Sequence, residues 1–137
     1  MITNTVLWCV LGAVIAFGIY VRLAPADVQK WHHMPDEVVR ADFQGGAIRV
    51  VQPASLDDLK VLDEIVLSDP RTQILAGDVQ EGMITYVSRS KLWGFPDYTT
   101  VHLNHDQLEI YGRLRFGRSD LGVNAARIDN WLRLFAK

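Results

Sequence analysis

The sequence predicts an α+β domain: a mostly antiparallel sheet of about five strands with two packed helices, preceded by one N-terminal transmembrane helix. Three observations predict this class. An uncharged apolar run opens the chain, a series of short segments between residues 47 and 116 has the composition or alternation of β-strands, and two stretches carry apolar residues at helical spacing. Together they give the element order β-α-β-β-β-β-α after the apolar run.

The apolar run is interpreted as a membrane anchor. Met1 to Val21 contains no charged side chain, and a helix of this length, rising about 1.5 Å per residue, spans the ~30 Å hydrocarbon core. Trp8 and Tyr20 lie near its two ends, where amphipathic rings favour the headgroup level, and Arg22 follows as a polar stop. A cleaved signal peptide is the alternative, because Ala24-Pro25-Ala26 resembles a cleavage site. The long run and the absence of a basic start favour an uncleaved anchor.

Three regions therefore divide the chain: a transmembrane anchor (1–22), a juxtamembrane linker (23–46) and an α+β domain (47–137). Arg22 and Lys30 flank only the C-terminal side of the anchor, which by the positive-inside rule favours a cytoplasmic domain. Two charges leave the side of the membrane unresolved. The sequence predicts a single-pass membrane protein whose residues 1–22 contact lipid.

Local signals place the elements of the domain. Ser55 is the expected N-cap of the first helix, and Asp69-Pro70 ends it. Ser119 and Asp120 are the expected cap of the C-terminal helix, in which Ile128 belongs to the apolar stripe. The predicted strands are 47–52, 72–76, 83–90, 98–103 and 108–116.

Composition excludes several classes of function. The net charge of -2 argues against a dedicated nucleic-acid binder, which usually carries a basic excess. The only cysteine, Cys9, lies in the apolar run, so neither an intramolecular disulfide nor a cysteine-based metal site is available. His102 and His105 lack the further ligands of a typical zinc site. We expect no metal, no cofactor and no nucleic-acid partner.

Basic residues near the C-terminal helix predict an anion site. Arg113 and Arg115 share a strand face by period two, and Arg118 lies just before a helix start, whose unpaired N–H groups attract anions. Guanidinium groups bind carboxylates and phosphates in a bidentate manner, so we expect an anionic ligand, a lipid headgroup or a protein partner here. The candidate ligand-binding residues are Arg113, Arg115, Arg118, Ser119, Arg89, Lys91, Trp93 and Tyr98.

The same residues allow three other interpretations. The arginines can pair with carboxylates such as Glu109 and simply solvate an exposed face. A small membrane-associated enzyme acting on an anionic substrate is a second alternative, with Ser119, Asp120 or His102 transferring protons in a shared cleft. A third is a structural accessory subunit. No nucleophile elbow or phosphate-binding glycine loop is present, which favours a non-enzymatic binding or scaffolding module.

Two motifs carry a family resemblance: Ser88–Tyr98 (SRSKLWGFPDY) and Arg113–Asn124 (RLRFGRSDLGVN). Together with Arg22-Leu23-Ala24-Pro25 and Trp31-His32, they resemble the domain-of-unknown-function family 1499, found in bacteria and plastids. The resemblance covers nearly everything after the anchor and implies no catalytic residue, because the activity of that family is not established. It implies that the linker belongs to the mature protein, which disfavours signal-peptide cleavage.

Overall fold

A computed structural model describes the whole chain, residues 1–137. Its elements are α1 (Ile2–Leu23), α2 (Val28–Trp31), β1 (Ala41–Phe43), β2 (Gly46–Val51), α3 (Leu56–Leu67), β3 (Thr72–Asp78), β4 (Met83–Arg89), β5 (Pro96–Asn104), β6 (Gln107–Leu114) and α4 (Val123–Phe135). The strands form one antiparallel sheet in the order β1-β2-β6-β5-β4-β3. The α+β class is confirmed, with six strands rather than about five.

The additional strand is β1, which lies inside the segment interpreted as a linker. It pairs with β2 across a tight turn at Gln44-Gly45. Its three residues are all exposed, so they are too few and too uniform to produce a visible alternation. The sheet therefore begins at Ala41, before Ala47, the predicted start of the domain.

One face of the sheet packs against α3 and α4. Ser55 caps α3 as predicted: its hydroxyl accepts from the Asp58 N–H while the Asp58 carboxylate accepts from the Ser55 N–H, a capping box. The main buried side chains of this core are Leu59, Leu62, Val66, Ile84, Tyr86, Val101, Leu108, Ile110, Ile128 and Trp131.

The start of α4 differs from the predicted cap. Gly122, with φ of 79°, is the N-cap residue, and the hydroxyl of Ser119 instead accepts from the Leu121 N–H. The carboxylate of Asp120 accepts from the N–H groups of Gly122 and Asn124. Asp120 therefore already occupies the favourable potential at the helix start.

α1 is one helix of 22 residues, long and apolar enough to span a membrane. Only Val21 among its side chains is buried, because the helix contacts the domain near its C-terminal end. Most of its other apolar side chains are exposed, although Phe17 and Tyr20 lie beside aromatic rings of the domain.

Arg49, on β2, links this strand to its neighbour β1 and to α4. Its guanidinium, 3% exposed, donates from Nε to Asp129 at 2.7 Å and from Nη1 to Asp42 at 2.6 Å. The hydrogen bond to Asp129 raises the pKa of Arg49, and the same bond lowers the pKa of the Asp129 carboxyl. Removing either carboxylate therefore leaves part of a buried cation without an acceptor.

We predict that Asp129→Asn lowers the free energy of unfolding by about 1–2 kcal/mol near pH 7, because Arg49 loses a charged acceptor that is itself half exposed. The folded-state pKa of Asp129 lies below its unfolded value, so its stabilisation is present above about pH 4 and is lost as the pH falls through the folded pKa. Urea unfolding in detergent, followed by tryptophan fluorescence at several pH values, measures both the loss in unfolding free energy and its dependence on pH. A difference between wild type and variant that persists unchanged to about pH 3 contradicts the ion pair.

Candidate functional site

The juxtamembrane segment covers the sheet face opposite α3 and α4. Trp31 stacks on Tyr98 with ring centroids 4.1 Å apart. The Arg113 guanidinium lies 5.5 Å from the Trp31 centroid and 4.4 Å from that of Tyr111, and it donates to Thr100 at 2.8 Å and to the Trp31 carbonyl oxygen. Arg113 is therefore only 5% exposed, and burial lowers its pKa to about 10.

Hydroxyl groups extend this network across the sheet. The Thr100 and Thr85 hydroxyls lie 2.8 Å apart, and the Thr85 hydroxyl lies 2.8 Å from His32 Nδ1. The network thus ties β4, β5 and β6 to the segment that follows α1. Arg113 and Tyr98, both predicted ligand residues, lie beneath this segment and hold it to the sheet. The face of β6 that carries Arg113 is therefore covered by the juxtamembrane segment and is not exposed to solvent.

The three arginines that the sequence groups together have separate environments. Arg115 donates to the Tyr98 hydroxyl at 3.0 Å and lies over the ring of Phe116. Arg118 is exposed in the loop before α4. None of Arg113, Arg115 and Arg118 lines a cavity. The arrangement does not bring these three guanidinium groups onto a common ligand.

A different set of cations surrounds a cavity of about 360 Å³ near the end of α1, here called the polar cavity. It lies where β4, the loop after it, the end of β6 and the start of α4 meet. Arg89, Lys91 and Ser119 are the predicted ligand residues that line it. Arg71 and Arg127 are cations that sequence reasoning missed, because no local pattern links the start of β3 to α4.

Carboxylates neutralise one of these cations. Arg127 Nη1 lies 3.4 Å from Asp97 Oδ2 and donates to Asn124 Oδ1 at 2.9 Å. Burial raises the pKa of Asp97, and the positive charge of Arg127 opposes that rise. Asp120, the second carboxylate of the cavity, accepts the hydrogen bonds at the start of α4. Both carboxylates are therefore engaged on one side of the cavity.

The other three cations have no carboxylate partner. Arg71 Nε donates to the Arg89 carbonyl at 3.2 Å, and Arg89 Nη1 donates to the carbonyls of Gly94 at 3.0 Å and Val21 at 3.5 Å. The side chain of Lys91 is exposed. None of Arg71, Arg89 and Lys91 forms an ion pair. An anionic group in the polar cavity would meet three charges that no carboxylate neutralises.

A second cavity, of about 490 Å³, lies alongside α1 and is here called the apolar groove. Phe95 lines both the groove and the polar cavity, and its ring centroid lies 6.2 Å from those of Phe17 and Phe116. Trp93, a predicted ligand residue, faces the groove and not the polar cavity. The residues lining the groove are Val10, Ala13, Val14, Phe17, Trp93 and Phe95.

The end of α1 packs against the loop after β4 (residues 90–95) and against Phe116, which follows β6. Arg22 Nη2 donates to the Leu92 carbonyl at 3.2 Å, and Tyr20 packs edge-on against Phe116 at 6.1 Å. Val21 is 1% exposed. The loop is thus held along the last turns of α1, and both cavities lie beside this contact.

The residues required for proton transfer do not converge. His102 Nδ1 lies 3.2 Å from Glu109, whereas Asp120 shares the amide of Asn124 with Asp97. Asp97 and His102 are five residues apart on β5, which is about 16 Å and places their side chains on opposite sheet faces. Asp120 and His102 therefore share no cleft.

Comparison with known proteins places most of the chain in one family model. The DUF1499 model, described as a protein of unknown function, matches residues 27–135. The match includes every residue of the polar cavity and leaves α1 outside. Comparison with curated proteins gives no match.

We predict that Arg113→Ala lowers the free energy of unfolding by about 2–4 kcal/mol, because Thr100 and the Trp31 carbonyl lose a buried charged donor. Arg118→Ala, at an exposed position, should change it by at most about 0.5 kcal/mol. Urea unfolding of the detergent-solubilised chain measures both values. If Arg113→Ala changed the free energy of unfolding as little as Arg118→Ala does, Arg113 would not hold the juxtamembrane segment on the sheet.

Proposed function

Because the chain belongs to the DUF1499 family of proteins of unknown function, we propose its role from its own geometry. The protein is a membrane-anchored, non-enzymatic binding module that holds an anionic group in the polar cavity. One observation carries this proposal: Arg71, Arg89 and Lys91 line one cavity, and none of them has a carboxylate partner.

α1 supports the membrane part of the proposal. Its 22 residues give about 33 Å of helix against a hydrocarbon core of ~30 Å. Its exposed apolar side chains need a solvent other than water. Cleavage after Ala26 would remove the buried Val21 and the hydrogen bond from Arg22 to the loop, which favours retention of α1. Lys30 and Arg22 favour the cytoplasmic side for the domain.

The position of the polar cavity supports an anion from the membrane surface. Arg89 of the cavity contacts the Val21 carbonyl, at the end of α1 where a bilayer has its headgroups. Leu92 and Trp93, 77% and 45% exposed, extend from the same loop and suit insertion among lipid chains. A lipid headgroup or an acidic group of a partner protein has the required charge. The enzyme alternative gains no support, because its proton-transfer residues lie apart.

We predict that the full chain stays in the membrane pellet after an alkaline carbonate wash and is released by detergent, because α1 is embedded in lipid. The intact mass of the extracted protein should equal that of a chain that retains α1. Release by carbonate, or a mature N-terminus at Asp27, would contradict the anchor.

We predict that sn-glycerol 3-phosphate raises the Tm of the detergent-solubilised protein, because an anion bound by the folded state alone stabilises it. Arg71→Gln/Lys91→Gln should abolish the rise by removing two unpaired charges of the cavity. Arg89 is left unchanged because it also binds two carbonyl groups. Tm is measured at constant ionic strength, with glycerol as the neutral comparison.

Lys60→Gln/Arg133→Gln is the matched control, because it removes the same charge at exposed positions outside the polar cavity. It should retain the rise in Tm. Two results would overturn the proposal: no rise in wild type, or an equal rise in both double variants.

A further inference from the structure

The polar cavity and the apolar groove are neighbours, because Phe95 contributes to the wall of each. The two spaces differ sharply in chemistry. Arg71, Arg89 and Lys91 supply positive charge on one side, and the groove is lined only by apolar residues. A ligand that used both would carry a negative charge at one end and an apolar chain at the other.

The groove lies within the proposed membrane span. It follows α1 from Val10 to Phe17, about 10 Å along the helix axis. Trp93 and Phe95 form its opposite wall, so the loop extends well below the end of α1. In a bilayer this space is surrounded by hydrocarbon, and its natural occupant is an acyl chain rather than water.

Resting on the proposed function, we infer that the anionic group is the headgroup of a single membrane lipid, whose acyl chain occupies the apolar groove. The uncompensated cations specify the headgroup. Arg71 and Lys91 attract a phosphate diester and repel a choline ammonium group, so the ligand class is an acidic glycerophospholipid rather than a zwitterionic one.

Native mass spectrometry of the full chain in a non-ionic detergent tests the inference. Phosphatidylglycerol and phosphatidylcholine with identical acyl chains are titrated separately, and the fraction of protein carrying one lipid gives Kd. We expect one phosphatidylglycerol per chain and a clear preference over phosphatidylcholine. In Arg71→Gln/Lys91→Gln this preference disappears, whereas Lys60→Gln/Arg133→Gln keeps it.

The groove is tested by Ala13→Phe, which places a ring in the space assigned to the acyl chain. We expect Kd for phosphatidylglycerol to rise about tenfold, because the ring and the chain compete for one volume. Ala16→Phe is the matched control, since Ala16 is exposed on the same helix and does not line the groove. Ala13→Phe should leave the rise in Tm caused by sn-glycerol 3-phosphate unchanged.

The outcomes separate this inference from the proposed function. If Ala13→Phe binds phosphatidylglycerol as wild type does while sn-glycerol 3-phosphate still raises Tm, the acyl-chain assignment is wrong and the anion site stands. If both lipids bind equally and Arg71→Gln/Lys91→Gln has no effect on either lipid or on the Tm rise, both the inference and the proposed function are wrong.

Discussion

The docking of α1 on the loop after β4 is the constraint on which the site depends. Arg89 of the domain donates to the carbonyl groups of Val21 and Gly94, and Arg22 of α1 donates to the carbonyl of Leu92 in the loop. These bonds fix the height of the loop along the helix. If α1 spans the bilayer as proposed, these bonds, together with the packing of Tyr20 on Phe116, put the polar cavity at headgroup level.

The arginines of this chain divide according to whether burial has used their donors. Arg49 and Arg113 are almost fully buried, and each donates to several acceptors, because a desolvated guanidinium without them would be costly. They stabilise the fold. Arg71, by contrast, is exposed and has no carboxylate partner. The packing around each arginine, and not the residue type, therefore decides whether its donors are already used.

Periodicity was sufficient to predict the elements that bury one face. The α3 stripe and the β5–β6 hairpin are visible in the sequence because burial repeats at a fixed spacing, whereas α1 is visible from the length of its uncharged apolar run. β1 is too short to repeat, and the true cap of α4 depends on a glycine with positive φ. Arg113 could not be recognised as buried, because the covering segment is distant in sequence and reaches it by tertiary packing. The polar cavity was only partly predictable for the same reason.

An acyl chain gains little hydrophobic energy by leaving lipid for the groove, since bilayer hydrocarbon is already apolar. Discrimination must therefore come from the headgroup, where charges near hydrocarbon interact through a lower effective dielectric than in water. In the proposed complex the groove would hold one acyl chain beside α1 while the lipid phosphate lies near Arg71 and Lys91. In the proposed complex the two lipid classes would compete for one site within the same membrane, so the ratio of bound lipids would equal the ratio of their abundances multiplied by the preference of the cations.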